Sequence, residues 1–176
     1  MGDTTDRSVP VQVGTDTNWA SAAAGLGHTV AVKTNGTLWA WGNNSNGQLG
    51  LGVGDTTDRS VPVQVGTDTL WASVAAGSMD TVAVKTNGTL WAWGCNVQGS
   101  LGNGAFGGGQ NPTPAQVGIE TLWASTLWAS VAEGDMDTLA VKTDGTLWAW
   151  GNNSNGQLGD GTINNSPTPG AVSGIY

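Results

Sequence analysis

The hydrophobic pattern of the chain is dominated by one 22-residue stretch that occurs three times. The copies begin at Thr29, Thr81 and Thr138, and the first is TVAVKTNGTLWAWGNNSNGQLG. Val-Ala-Val-Lys-Thr has the composition of a strand, Leu-Trp-Ala-Trp that of a return strand, and the Asn-Gly between them favours a two-residue type I′ turn. Each copy therefore predicts a β-hairpin.

A two-residue turn at Asn35-Gly36 would set the register of the first hairpin. It would place Lys33 opposite Leu38, Val32 opposite Trp39 and Val30 opposite Trp41. One face would then be bulky, with Val30, Val32, Trp39 and Trp41, and the other slim, with Ala31, Leu38, Ala40 and the stem of Lys33. Because neither face is polar, both must be covered, and the bulky face of one copy suits the slim face of the next. The repeat is predicted to stack on itself.

Shorter motifs flank each hairpin and complete the repeat. Trp-Ala-Ser precedes it, beginning at Trp19, Trp71 and Trp128, and a strand of the Pro-Val-Gln-Val type follows it. The copies are spaced by 52 and then 57 residues, and the longer interval contains TLWAS twice, at 121–125 and 126–130, of which only one can take the strand register. About four strands in a repeat near 50 residues are typical of a propeller. The sequence predicts an all-β fold.

The motif from Gly25 to Gly50 carries the resemblance to a family. It has the form Gly-x-x-His-Thr-x-Ala-Val-Lys-Thr-Asn-Gly-Thr-Leu-Trp-Ala-Trp-Gly-x-Asn-x-x-Gly-Gln-Leu-Gly. It closely resembles the repeat of the regulator-of-chromosome-condensation family, and the flanking motifs are similar to those of bacterial-type members. The resemblance covers essentially the whole chain in three copies. It implies a β-propeller of four-stranded blades, usually seven to a ring.

The chain departs from that family pattern in two ways. The family histidine is present as His28, but the equivalent positions of the later copies hold Asp80 and Asp137. Three blades are also fewer than the four to eight that close a ring. The chain is therefore either a fragment or a unit whose copies associate, and we expect a homo-oligomer, with a dimer favoured.

The repeat boundaries divide the chain into a short lead and three units. Residues 1–17 form an orphan outer strand and linker, with the strand expected at Val9–Val13. Repeats follow at 18–69, 70–121 and 122–176. We expect all of them to form a single domain.

Composition argues against several classes of partner. The chain has 176 residues, a formal net charge of −8 and only 10% charged residues, which disfavours binding to a phosphate backbone. No apolar run approaches the roughly 18–20 residues of a membrane span, and no signal peptide is visible. Cys95 is the sole cysteine and can form no intramolecular disulfide, so the compartment stays open and the cytoplasm is compatible. We expect neither nucleic acid nor membrane as a partner.

The ten tryptophans admit two interpretations, core packing or an exposed site that binds sugar or absorbs light. Six of them lie on hairpin strands whose faces must be covered, and each can bury roughly 150–250 Å². Core packing is therefore the favoured role. One of Trp123 and Trp128 is expected to be partly exposed.

No set of side chains predicts an enzyme. His28 is the only histidine, and a hydrogen-bonding role at a strand end is favoured over catalysis. Cys95 has no partners for nucleophilic chemistry. Glu133, Asp135 and Asp137 could bind Ca²⁺, which takes several oxygen ligands, but a solvated acidic turn is the favoured interpretation. No catalytic residue, metal site or cofactor is expected.

The copies differ mainly in their loops, and a rigid frame with variable loops is typical of binding modules. The candidate partner-binding residues are His28, Met79, Asp80, Phe106, Asp135, Met136 and Asp137. The favoured function is a non-catalytic scaffold that binds itself and, through these loops, other proteins. A carbohydrate-binding propeller and a purely structural or engineered repeat piece stay open as alternatives.

Overall fold

The computed structural model describes residue 3 and residues 5–118 and 127–172 of the chain. Within these residues the chain forms three sheets of four antiparallel strands and no helix. The predicted all-β class and the predicted four-stranded units are both confirmed. We call the sheets blades 1, 2 and 3 in chain order.

Each blade consists of four strands that follow one another in the chain. Blade 1 contains β1 (Trp19–Ala24), β2 (His28–Lys33), β3 (Leu38–Gly42) and β4 (Arg59–Gln64). Blade 2 contains β5 (Trp71–Ala76), β6 (Asp80–Lys85), β7 (Leu90–Asn96) and β8 (Gly107–Gln116). Blade 3 contains β9 (Trp128–Glu133), β10 (Asp137–Lys142), β11 (Leu147–Gly151) and β12 (Ser166–Ala171). The first strands of successive blades lie side by side, so they form the inner edge and the fourth strands the outer edge.

The turn of the first hairpin differs from the predicted type I′ turn. The N–H of Gly36 donates to the carbonyl oxygen of Lys33 (2.8 Å), and the N–H of Lys33 donates to that of Thr37 (3.0 Å). A type I′ turn needs positive φ at both central residues, but only Gly36 has it, at 77°. The Asn35 side chain instead accepts the N–H and the hydroxyl of Thr37. The loop is therefore three residues long.

The longer loop shifts the strand register by one residue, so the predicted pairs are wrong. Val32 lies opposite Leu38 and Val30 opposite Ala40, while Ala31 lies opposite Trp39 and Thr29 opposite Trp41. We call the face with Thr29, Ala31, Trp39 and Trp41 the tryptophan face, the face with Val30, Val32, Leu38 and Ala40 the valine face, and use both names for equivalent positions in every blade. Trp39 and Trp41 do share a face, as predicted. Lys33 belongs to this tryptophan face rather than to the slim face, since its ammonium lies 4.0 Å from the centre of the Trp39 ring.

The blades stack through unlike faces, as the sequence predicts, although the residues on each face differ from the predicted ones. The valine face of blade 1 packs on Trp71, Ala83 and Trp93 of blade 2. The valine face of blade 2 packs in the same way on Ala140 and Trp150 of blade 3. We call each such contact, with its flanking loops, a blade joint.

The two end blades each leave one face uncovered. On the valine faces, Leu38 and Leu90 are 0% and 1% exposed, whereas Leu147 of blade 3 is 37% exposed. On the tryptophan faces, Trp93 is fully buried, whereas Trp41 of blade 1 is only half-buried. The open faces are thus the tryptophan face of blade 1 and the valine face of blade 3.

Two segments predicted from the repeat pattern have different outcomes. The structure assigns no strand to Val9–Val13, whose three valines are exposed. Trp128 begins β9 and is half-buried, so the second TLWAS copy takes the strand register. The first copy, with Trp123, lies outside the described residues.

Candidate functional site

The centre of each blade joint is one backbone carbonyl oxygen that accepts two hydrogen bonds. In the first joint the Gln48 oxygen of blade 1 accepts the indole N–H of Trp93 and the hydroxyl of Thr81, both at 2.9 Å. In the second joint the Ser100 oxygen accepts the indole N–H of Trp150 (2.7 Å) and the hydroxyl of Thr138 (2.9 Å). A carbonyl oxygen has two lone pairs, so both acceptors are saturated.

The loop that carries this oxygen is held by a buried asparagine. Asn44 is fully buried; its Oδ1 accepts the N–H of Leu49 (3.0 Å) and its Nδ2 donates to the carbonyl oxygen of Asp55 (2.9 Å). Asn153 makes the matching bonds to Leu158 and Thr162 in blade 3. The amides of these loops therefore fix the backbone that presents the acceptor.

His28 takes part in the first joint from the start of β2. Its Nε2 lies 2.9 Å from the Thr81 hydroxyl, whose proton is directed to Gln48. Nε2 is therefore the donor, and the ring is neutral at pH 7 because its pKa lies well below that value. Burial lowers the pKa of His28 to about 4. This is the hydrogen-bonding role at a strand end that the sequence favours.

Asp80 replaces the histidine at the second joint and lies 2% exposed. Both of its carboxyl oxygens are buried, and hydrogen bonding from the Ser100 side chain and the Met79 backbone offsets only part of the cost of burying them. Burial raises the pKa of Asp80 to about 6. The buried position leaves this side chain unable to contact a partner directly.

Glu133 supplies the second carboxyl at this joint. Its Oε1 lies 3.0 Å from the Thr138 hydroxyl and its Oε2 is buried. Burial, and next the nearby charge of Asp80, raise the pKa of Glu133 well above its usual range. The single proton of the Thr138 hydroxyl can be donated to the Ser100 oxygen or to Glu133. When it is donated to Ser100, a protonated Glu133 can donate to Thr138 as His28 donates to Thr81.

The expected solvated acidic turn is thus wrong for Glu133. Asp135 is exposed and Asp137 is half-buried, and burial raises the pKa of Asp137 as well. Glu133 as a whole is half-buried, and the sequence offers only the contrast that the equivalent positions of the other repeats are Ala24 and Ala76. Within residues 5–118 and 127–172, no three His, Cys, Asp or Glu side chains are placed to hold a metal ion.

Most of the remaining candidate residues lie in one row of loops at the inner edge. The N–H of Leu26 donates to the Gly77 oxygen (3.2 Å), and that of Ser78 to the Asp135 oxygen (3.1 Å). These bonds join the loops at 25–27, 77–79 and 134–136, which we call the inner loop row. Met79 and Met136 are half-buried there, while Leu26 and Asp135 are exposed.

Phe106 stands apart from the inner loop row. It is 54% exposed and directly precedes β8. Gln110 lies in β8 and donates to the Ser45 oxygen of blade 1 (2.8 Å). The structure therefore brings together the other candidates near the inner edge but not Phe106.

Lysine side chains lie over tryptophan rings on the tryptophan face of the blades. The Lys33 ammonium lies 4.7 and 4.0 Å from the ring centres of Trp19 and Trp39 and is paired with Asp16. Lys85 repeats this arrangement in blade 2. These rings serve cation–π contacts within a blade, which leaves less of their surface for the sugar-binding alternative.

Comparison with known proteins finds one repeat along most of the chain. The model of the regulator of chromosome condensation (RCC1) repeat matches residues 35–84, 87–141 and 144–175, and a second RCC1 repeat model matches 19–48. The chain is 36% identical over 166 residues to the ultraviolet-B receptor UVR8 of Arabidopsis thaliana, covering 92% of the chain and 36% of that receptor. It is 34% identical over 142 residues to the mitochondrial RCC1 domain-containing protein RUG3 of the same plant, covering 80% of the chain and 30% of that relative. The chain thus spans about a third of the length of these relatives.

Solved structures show the same fold. Human WBSCR16 superposes with a TM-score of 0.81 at 23% identity, over 95% of this chain and 43% of that one. Yeast RCC1 (Prp20), bound to Kap60, gives 0.78 at 21% identity, over 89% and 37%. The described residues contain no helix long and apolar enough to cross a membrane.

Proposed function

Because the chain belongs to the regulator of chromosome condensation (RCC1) repeat family, we propose that it is a non-catalytic β-propeller scaffold that binds protein partners through its variable loops and associates with itself. Protein binding is supported by the solved relatives, since yeast Prp20 is described bound to Kap60 and by its binding properties to Gsp1p and histones. None of those partners is carried over to this chain.

The inner loop row is the observation that carries the binding proposal. The strands of the three copies are nearly identical, yet Leu26-Gly27 is replaced by Ser78-Met79 and by Asp135-Met136. Backbone hydrogen bonds hold these differing loops side by side. A surface that varies on a constant frame fits recognition better than catalysis.

His28 and Asp80 would act here through the loops they support, because both side chains are buried. Asp137, half-buried at the start of β10, would support the third loop. Met79, Asp135 and Met136 would contact the partner, and Phe106 would form a separate contact at the outer side. No cofactor, nucleic acid or membrane is part of the proposal.

The test starts from affinity capture and identification of the bound protein, followed by titration of the purified partner. A triple variant, Met79→Ala with Asp135→Ala and Met136→Ala, is expected to weaken binding at least about tenfold if two or three of these contacts are lost. Val53→Ser, at a 92% exposed position away from the row, serves as the control. Equal affinity of both variants, with unchanged thermal melting, would contradict the proposal.

Self-association is supported by the two open faces of the chain. They are the same pair of faces that cover each other within the chain, and soluble monomers seldom leave large apolar faces exposed. A dimer would join two sets of three blades into one ring, and the free Val9–Val13 segment could compete with β12 for the last blade of the other copy. Light scattering coupled to gel filtration tests this: a monomer of 17.8 kDa at micromolar concentration would contradict it.

A further inference from the structure

We infer that the open ends of the chain are the two halves of a third blade joint, which a second copy completes with the same hydrogen bonds that join the blades within one chain. This inference rests on the proposed self-association and specifies its atoms. Because the chain is a repeat, the residues of each half can be identified as the equivalents of those that form the first and second joints.

The acceptor half lies in blade 3, in the loop after β11. Gln157 occupies the position of Gln48 and Ser100, and in the described chain its carbonyl oxygen accepts no hydrogen bond from an indole or a threonine hydroxyl. The glycine two residues later forms the seat of the indole. A Cβ on Gly50 would lie 2.8 Å from the Trp93 ring, but a Cβ on Gly159 would meet only Val172, at 3.2 Å. The indole seat of blade 3 is therefore open.

The donor half lies on the tryptophan face of blade 1. Trp41 occupies the position of Trp93 and Trp150, and Thr29 that of Thr81 and Thr138. Neither the indole N–H of Trp41 nor the hydroxyl of Thr29 donates a hydrogen bond within residues 5–118 and 127–172. Two donors without acceptors at one end thus match one carbonyl without donors at the other.

The outer edge gives a second, independent match. A Cβ on Gly47 would lie 2.7 Å from the Pro112 backbone of the next blade, and the N–H of Gly52 donates to the Pro112 oxygen (2.8 Å). The second joint repeats both features with Gly99, Gly104 and Pro167. In blade 3 the equivalent residues are Gly156, which has no atom closer than 3.9 Å, and Gly161. The residue that occupies the proline position in blade 1 is Ser60.

The hairpin turns supply a third match on the other side of the blade. The Gly36 oxygen accepts the N–H of Trp71 from the next blade (3.1 Å), and the Gly88 oxygen accepts that of Trp128 (3.0 Å). Gly145 is the equivalent turn glycine in blade 3, and nothing lies within 4 Å of its Cβ position. It would receive the N–H of Trp19 of a second copy.

The orientation of the joint follows from this chemistry. The open glycine seats and the Gln157 and Gly145 oxygens lie at the blade 3 end, and the indole, threonine and Trp19 donors lie at the blade 1 end. The outer-edge bond runs the other way, from the Gly161 N–H of blade 3 to the Ser60 oxygen of blade 1, as Gly52 donates to Pro112. Two copies must therefore meet head to tail, and such a contact either closes into a ring or continues as a filament. The open surfaces of blades 3 and 1 are equivalent to the two surfaces that meet at each joint within the chain. We therefore assign a second copy of this chain as the occupant.

The test separates the joint between copies from the joints within a chain. Trp41→Phe and Thr29→Val remove one donor each from the open end, and Trp93→Phe and Thr81→Val remove the equivalent donors inside the chain. We expect the first pair to raise the dissociation constant of the dimer by at least about tenfold, since an acceptor loses its partner, with little change in thermal melting. The second pair should lower the melting temperature and leave the dissociation constant unchanged.

A blocking variant gives a separate measurement. Gly156→Ala would place a Cβ where the Ser60 backbone of the other copy is expected, and should abolish the dimer. Gly54→Ala is the matched control, because Gly54 has a similar φ (81° against 76°) and nothing within 4 Å. Sedimentation velocity across a range of concentrations measures all six variants.

The outcomes distinguish this inference from the self-association on which it rests. A monomer at every concentration would overturn both. A dimer that Trp41→Phe, Thr29→Val and Gly156→Ala leave as tight as the wild type would overturn the third joint and leave self-association standing. Loss of the dimer in these variants, with the controls unaffected, is the expected result.

Discussion

The indole nitrogen of Trp93 lies 2.9 Å from the carbonyl oxygen of Gln48, a residue 45 positions earlier in the chain and in the preceding blade. This bond gives the tryptophan a fixed depth and orientation in the blade joint. The Trp93 ring is fully buried, so it contributes both apolar area and a directed hydrogen bond. The equivalent bond from Trp150 to Ser100 shows that the arrangement belongs to the repeat.

Truncation of Trp93 should therefore be far more costly than truncation of Trp41. Trp93→Ala is expected to lower the free energy of unfolding by about 3–5 kcal/mol, as core aromatic truncations do. Trp41 occupies the same repeat position but is only half-buried, so Trp41→Ala should cost clearly less when measured on the monomer. Urea unfolding at low protein concentration compares the two. Equal losses would mean that the open face is covered within a single chain.

Protonation of the carboxyls at the second joint should stabilise the fold. The pKa of Asp80 is raised from 3.8 to about 6 in the folded chain, which corresponds to roughly 3 kcal/mol in favour of the neutral form. The folded state binds this proton more tightly than the unfolded state, so the gain is complete below about 3.8 and is lost as pH rises through about 6. The raised pKa of Glu133 acts in the same direction.

Glu133→Gln tests the role of the second carboxyl, because its amide can donate to Thr138 without a titrating proton. The variant should be more stable than the wild type at pH 8 and should show a weaker gain on acidification to pH 5. Asp6→Asn, at an exposed position ahead of β1, is the control and should leave the profile unchanged. Loss of stability in Glu133→Gln at pH 8 would show that an ionised Glu133 is required.

His28 should titrate far below an ordinary histidine. Burial lowers its pKa from 6.5 to about 4, so the unfolded chain binds the proton more readily than the folded one. The contribution of neutral His28 is complete above about 6.5 and is lost as pH falls toward about 4. His28 is the only histidine, so its imidazole signal in a proton NMR titration is unambiguous. A midpoint near 6.5 would mean that the ring is solvated.

The acidic turn should not be a calcium site. Glu133 directs one oxygen to Thr138 and has the other buried, which leaves Asp135 and Asp137 too few oxygens for a six- to eight-ligand cation. Calorimetric titration with Ca²⁺ is expected to show no binding tighter than millimolar. A micromolar affinity that Asp135→Asn abolishes would reverse this conclusion.

The architecture could be predicted from the sequence because the same pattern of strands and turns occurs in three copies. Strand order, antiparallel pairing and the contact between unlike faces all follow from apolar runs around a glycine turn. The register did not follow, because Asn35-Gly36 fits two turn types. The turn type depends on the Asn35 side chain, which accepts hydrogen bonds from Thr37. The general preference of Asn-Gly for a turn does not take this contact into account.

The candidate site was predictable only in part for a related reason. Differences between copies identified the loops that carry Met79 and Asp135, but not which side chains at those loops are buried. The interior position of Asp80 depends on packing between two blades, as does that of Glu133. The carbonyl oxygens of Gln48 and Ser100 were beyond sequence reasoning altogether, because a backbone acceptor is not encoded by residue type.

The exchange of His28 for Asp80 makes the two joints respond to acid in opposite directions. The first depends on a neutral imidazole and weakens as pH falls, whereas the second holds carboxyls and weakens as pH rises. The order in which the blades come apart should consequently reverse, with blade 3 detaching first once the pH has risen past about 6 and blade 1 first as it falls toward about 4. Although the repeats are almost identical, unfolding would thus begin at blade 1 or at blade 3 depending on the pH.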